Sequence, residues 1–212
     1  MSHAGAQDSD DPGLSLPQYA YVPLQHVDEM RLLRIAPGTW NDPIHCDIFH
    51  CRLSQKISYE ALSYTWGSEE KPFTINCGEN RWLAVTSNCF AAIRRLRKPD
   101  RPRTLWIDAV CINQANDLER GHQVKNMTQI YREADQVIVY LGEADDDQSR
   151  EALQDLRSYK WIKPGRPRLH SLRRLLQRPW FTRIWVLQEV YMARSLTVIC
   201  GNLGQTALLG PI

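Results

Sequence analysis

The sequence has no apolar run of 18 residues, so nothing in it reads as a membrane-spanning helix. Its first 30 residues lack the basic start and apolar core of a secretory signal. That predicts a chain kept where thiols stay reduced, and the six cysteines then imply no disulfide framework. An excess of one charge sign is missing as well: 26 Lys+Arg against 24 Asp+Glu leave +2. This balance excludes a polyanion binder driven by total charge, and equally an acidic disordered solvator.

What is present is the composition of one globular domain. The 212 residues are 43% hydrophobic and 24% charged. Seven tryptophans suggest a packed core or a lined pocket. Residues 1–18 are small, acidic and Pro/Gly-containing, which predicts a disordered leader ahead of a single domain over 19–212.

Along the chain, Met30–Ile35 and Ile44–Leu53 predict a hairpin with a long loop. Tyr59–Gly67 predicts a buried strand ending in a Gly turn, and Gly78-Glu79-Asn80 a second hairpin, between Phe73–Cys77 and Arg81–Val85. Ser87 is expected to cap a helix through Arg97. Thr104–Val110 is nearly continuously apolar, which suits a central parallel strand. Asn116 with Glu119 predicts a capping box opening a helix with Val124, Met127, Ile130 and Tyr131 at helical spacing. Gln136–Gly142 then completes a strand–helix–strand unit. Further on, an acidic loop is expected over Glu143–Asp147, helices over Ser149–Tyr159, His170–Gln177 and Pro179–Ala193, and a last strand over Ser195–Cys200. No internal repeat is found. The fold class is α/β: a mostly parallel sheet flanked by helices, with an added N-terminal β-hairpin region.

The segment Pro179–Ala193 is apolar all round, which predicts a buried helix. Gln188 and Glu189 are set within it, and a buried carboxylate needs a partner. Two readings stand: an ion pair with Arg183 or Arg120, or a cleft carboxylate with a tuned pKa. Ligands of open parallel sheets bind beyond the carboxyl ends of the strands. Those ends are expected to carry Tyr64, Trp66 and Gly67 on one strand and Asp108 on another.

Three weaker patterns have bland alternatives. His45-Cys46 and His50-Cys51 could suit zinc, but strand alternation points them to opposite faces, so no metal is expected. Cys111 with His122 could pair as thiol and base, against a buried, inert cysteine. Nine Lys/Arg and no acid between Arg157 and Arg183 could face nucleic acid or acidic lipid, against a solvated face, which is the reading preferred.

Four blocks carry a resemblance to a known family: Tyr59-x-Ala-Leu-Ser-Tyr-x-Trp-Gly67, Leu105-Trp-Ile-Asp-Ala-x-Cys-Ile-Asn-Gln114, Glu119-Arg-x-x-Gln-Val-x-x-Met127, and Arg178-Pro-Trp-Phe-x-Arg-x-Trp-Val-Leu-Gln-Glu189. Together they resemble the fungal heterokaryon-incompatibility (HET) domain. The resemblance implies a cytoplasmic fungal protein acting in non-self recognition and programmed cell death. The order of elements is also similar to that of TIR domains, and Thr182–Val190 resembles their Ser-x-Trp-Cys-x-x-Glu-Leu helix, with Val186 where that motif has Cys. That second resemblance implies a TIR-like fold and places Glu189 where a catalytic glutamate serves NAD⁺ cleavage. NAD⁺ would then be a substrate, and no cofactor or metal is implied.

In this reading Glu189 stabilises the oxocarbenium-like state at the nicotinamide–ribose bond. Trp66 or Trp185 stacks on a flat ring, Arg120 or Arg183 meets the pyrophosphate, and Tyr64, Gly67, Asp108 and Gln188 line the pocket. The alternative is a non-catalytic module that signals by self-association, with Glu189 in a structural ion pair. An upstream death-signalling partner is expected, and its identity is not legible.

Overall fold

The computed structural model describes residues 16–143, 173, 175–201 and 203–207. The expected helix at 149–159 lies outside these residues, as does half of the one at 170–177; of the latter, Arg173, Leu175 and Leu176 are helical, and Gln177 N donates to the Arg173 carbonyl at 3.1 Å. Also outside the described residues are the acidic loop beyond Glu143, most of the basic run and residues 1–15 of the leader. Leu16–Gln18, read as the end of that leader, are bonded to the sheet: Trp82 N donates to the Pro17 carbonyl at 3.1 Å, and Gln18 bridges Trp82.

One nine-stranded sheet organises the described residues, with the spatial order β5-β4-β2-β1-β6-β3-β7-β8-β9. Its strands are β1 (Glu29–Ile35), β2 (His45–Arg52), β3 (Glu60–Tyr64), β4 (Phe73–Cys77), β5 (Trp82–Val85), β6 (Arg103–Trp106), β7 (Gln136–Tyr140), β8 (Leu196–Cys200) and β9 (Leu203–Ala207). The helices are α1 (Ser87–Leu96), α2 (Asp108–Cys111), α3 (Asp117–Glu133) and α4 (Val186–Tyr191). Both expected hairpins form, β1–β2 over seven register pairs and β4–β5 over four.

The sheet is mixed rather than mostly parallel. Strands β6, β3, β7 and β8 run parallel in its centre. β1 and β9 flank that quartet antiparallel. The chain visits β3 first, then β6 on one side, then β7 and β8 on the other. This reversal of direction makes a topological switch point, and crevices at switch points lie beyond the carboxyl ends of the strands. Every residue of β3 from Ala61 to Tyr64 is buried, as a central strand covered on both faces requires.

Local chemistry explains where expected boundaries moved. Thr86, not Ser87, caps α1: its hydroxyl accepts from Cys89 N at 3.3 Å. The apolar run after Trp106 leaves the sheet, because Asp108 Oδ1 accepts the next backbone N–H, Ala109, at 2.7 Å and the chain turns into α2. Asn116 does cap α3, accepting from Glu119 N at 3.1 Å. Glu119 completes no capping box. Its carboxylate instead accepts from Asn113 N at 2.8 Å and from both Arg31 Nη atoms, at 2.6 and 3.0 Å. A strand beyond Cys200, β9, was not expected; it turns back at Gly201, whose φ of 56° suits glycine.

The largest departure is at Pro179–Ala193. Pro179–Thr182 is a 3-10 turn, Arg183 is extended, and α4 spans six residues only. The segment is not buried all round: Ile184, Leu187 and Tyr191 are 80%, 78% and 71% exposed. No helix among the described residues is long and apolar enough to cross a membrane.

Candidate functional site

The crevice beyond β3 and β7 is filled by the chain's own segment 178–189. Arg178 Nη1 donates to the carbonyls of Leu141 and Glu143, at 2.8 and 3.1 Å, just past the end of β7. Gly142, at φ 96°, carries the chain past it: a Cβ there would meet Arg178 Nη1 at 3.4 Å. Trp180 Nε1 donates to Ser63 Oγ on β3 at 2.7 Å. Ser63 Oγ in turn donates to Glu189 Oε2. Arg183 reaches both carboxylate oxygens, at 3.0 and 3.3 Å. Glu189 is 1% exposed, and each of its oxygens has a charge-assisted donor. The partners that water would supply to a carboxylate are here fixed in advance by the fold.

Next to this closed group is a half-open one. Asp108 follows β6, and Trp66 Nε1 donates to its Oδ2 at 2.9 Å. Trp66 is partly exposed, at the rim. Gly67 follows at φ 76°, and a Cβ there would meet the Asn88 amide at 3.0 Å, so the turn admits only glycine without a shift. Burial pushes the Asp108 carboxyl up to about 6; the Ala109 and Trp66 donors and the Arg183 charge oppose the rise, and the Glu189 charge adds to it. Asp108, Arg183 and Glu189 are thus close enough to share one electrostatic field.

That shift has a consequence for stability. Unfolded, Asp108 loses its proton near 3.8; folded, near about 6. Between these values the folded state holds more protons, so the contribution of this group falls as pH rises and is least favourable above 6. Asp108→Asn cannot ionise. Its stability relative to the parent should rise by about 2 kcal/mol between pH 4 and pH 7.5, on top of any constant offset from the amide. Denaturant titrations at the two pH values check this; a difference that does not change with pH would show that Asp108 ionises freely in the fold.

The expected site residues therefore divide. Glu189, Arg183, Asp108, Trp66 and Gly67 gather at the carboxyl end of the parallel quartet. Tyr64 does not join Glu189. It alternates with Ser63, so it faces the other side of the sheet, where its ring lies buried near Cys89 of α1. Arg120 is bound elsewhere: it pairs with Asp117 at 2.9 Å and donates to the Gln114 carbonyl. The Gln188 amide donates to Thr128 Oγ1 of α3 at 2.7 Å, anchoring α4 rather than lining a pocket. Trp185 precedes α4, partly exposed, and its carbonyl accepts the Gln188 and Glu189 amides.

Ser63 and Trp180 were missed as site residues. A hydroxyl between Leu62 and Tyr64 in a buried strand was the signal, because it must find a partner. Cys111 is no nucleophile: its Sγ accepts from Ile107 N at 3.3 Å, and burial pushes the thiol up to about 12. His50 is held between Glu29 and Arg31, and Cys46 lies against Cys77. Among the described residues, no group of three His, Cys, Asp or Glu is placed to hold a metal.

The sequence pattern of the family described as "Heterokaryon incompatibility protein (HET)" matches residues 59–189, from the start of β3 to the buried glutamate. The chain is 29% identical over 231 aligned positions to "Heterokaryon incompatibility protein 6, OR allele" of Neurospora crassa, covering 84% of this chain and 34% of that protein. It is 30% identical over 142 positions to "Vegetative incompatibility protein HET-E-1" of Podospora anserina, covering 65% of this chain and 9% of that protein. The chain thus spans about a third of one relative's length and under a tenth of the other's. No solved structure matches it.

Proposed function

The chain belongs to the heterokaryon-incompatibility family, and from that premise we propose that it acts in fungal non-self recognition as a non-catalytic, self-associating signalling module. One observation carries this reading. The crevice at the switch point, where a doubly wound sheet would take a ligand, is occupied by the protein's own Trp180, Arg183 and Glu189. Glu189 is the pivot of a structural ion pair that pins segment 178–189 to β3. That segment and the end of α4 turn Ile184, Leu187 and Tyr191 outward, as an associating surface requires. Programmed cell death as the output, and the cytoplasm as the place, belong to the same proposal.

A second reading is favoured by Asp108 and Trp66. A carboxyl that holds its proton to about pH 6, bonded to a half-open indole and sharing a field with Glu189, is a suitable margin for a nucleotide site. Under this reading the chain cleaves NAD⁺ at the nicotinamide–ribose bond. Arg183 swings from Glu189 to the pyrophosphate, and the freed carboxylate stabilises positive charge at the ribose.

One experiment separates the two. Nicotinamide release from NAD⁺ is measured on the purified chain, dilute and artificially clustered, beside Glu189→Gln. The structural reading expects no release in either state, and light scattering that shows assembly. Release when clustered, abolished by Glu189→Gln with the fold intact, would replace it with the catalytic one.

A further inference from the structure

All six cysteines are buried, and the functional reading above uses the chemistry of none. Two of them stand in a particular relation. Cys46 on β2 and Cys77 on β4 are direct register partners across a parallel pairing. Their Sγ atoms are 3.4 Å apart. Paired strands lie about 4.8 Å apart, within the roughly 4.4–6.8 Å between Cα atoms that a disulfide spans. Closing the sulfurs to a bond of about 2.05 Å is within reach of side-chain rotation with a small strand adjustment.

The join that carries them is thin. β2 and β4 share two register pairs, His45 with Asn76 and Cys46 with Cys77, where β1 and β2 share seven. Two flanking backbone bonds, Asn76 N to the Ile44 carbonyl and Gly78 N to the Cys46 carbonyl, complete it. Short joins near a sheet edge open locally at lower free energy than the core. Such opening is how a buried thiol meets a reagent.

We infer that Cys46 and Cys77 form a dithiol oxidation site, which a small disulfide such as oxidised glutathione converts to an intramolecular disulfide stapling the β4–β5 hairpin to the rest of the sheet. The thiolate of one cysteine attacks a reagent sulfur, and one glutathione leaves as its thiol. The thiolate of the other then attacks the mixed disulfide, and the second glutathione leaves. Two protein thiols are oxidised, one glutathione disulfide is reduced to two thiols, and the protons released reprotonate the leaving groups. In the closed sheet, contact with the Cys77 thiol and burial hold the Cys46 thiol far above its ordinary range, so reaction waits on opening. The staple spans 31 positions of sequence, a length at which loop closure in the unfolded chain is costly.

The test uses the full chain, oxidised glutathione, alkylation of the remaining thiols and non-reducing peptide mass mapping. The expected result is loss of two thiols and a peptide linking Cys46 to Cys77, reversed by dithiothreitol. Formation should speed up in low urea that leaves the far-UV signal unchanged, and Tm should rise by about 5 °C on closure. Cys46→Ala and Cys77→Ala should each abolish the link and leave the partner as a glutathione adduct. The wild-type map decides the matter even if a variant folds poorly. Six thiols still alkylated after treatment in low urea would overturn the inference, as would a link between any other two cysteines.

Discussion

Glu189→Ala should destabilise the fold by about 3–5 kcal/mol, because it leaves a largely buried guanidinium without its anion. Arg183 is 19% exposed in its side chain, so water replaces little of what is lost. Ser63 Oγ also loses its acceptor while still receiving the Trp180 indole N–H. At this chain length the loss corresponds to a fall of roughly 10 °C in Tm. Arg183→Ala should cost a comparable amount from the other side, stranding a carboxylate that is 1% exposed. The double variant should be less destabilised than the sum, since neither charge is then left alone. Glu189→Gln keeps the shape and one acceptor but not the charge, so it should cost less than Glu189→Ala while still leaving Arg183 without an anion. Urea denaturation of the four proteins measures all of this. A Glu189→Ala protein as stable as the parent would show that the pair is not structural, and would shift the weight to the catalytic reading.

A loss of the same size is expected on the other side of β3. Arg31 on β1 is wholly buried. Its guanidinium meets Glu119 through two nitrogens, donates to the carbonyls of Cys111 and Val22 at 3.1 and 2.6 Å, and reaches His50 Nε2 at 3.3 Å. It also lies 5.0 Å from the centre of the Tyr21 ring. One side chain thus joins the N-terminal segment, β2, the end of α2 and the start of α3. Burial raises the Glu119 carboxyl, but the Arg31 bond and the Asn113 amide outweigh it and hold it below the ordinary range. Glu119→Ala should cost about 3–5 kcal/mol by leaving Arg31 charged and unpaired in the core. Arg31→Met fills most of the space without a charge and should cost less than Arg31→Ala. A Glu119→Ala chain with unchanged Tm would mean that water enters and solvates Arg31, so that the network is looser than its distances imply.

These two ion pairs show where reading the sequence succeeded and where it stopped. The fourth family block contains both Arg183 and Glu189, and their pairing was one of two readings left open. What the block could not say is that Ser63, from the first block, supplies a donor to the same carboxylate. Glu119 was assigned to a capping box because Asn116 stands three residues before it. A fully buried Arg31, 88 positions away, competes for that carboxylate and wins, since an unpaired guanidinium in the core costs far more than one helix-terminal N–H. The apolar stretch at Pro179–Ala193 misled for a related reason. Its periodicity fits a buried helix, but Arg183 has to leave helical geometry to reach Glu189, and that divides the segment into a 3-10 turn and a short helix.

The α/β class, both hairpins, the helix after Asn116, the central strands and the family were legible in the residues alone, because each is written in local periodicity, turn residues or contiguous motifs. Packing across the fold set the rest: that the sheet is mixed, that Tyr64 turns its back on Glu189, that Arg120 stays at the surface, and that the crevice at the switch point is filled from within. Most of those outcomes depend on which side chains meet across tens of residues. Where the meeting is buried, as for Ser63 with Glu189 or Arg31 with Glu119, it is worth several kcal/mol, and no local pattern records it.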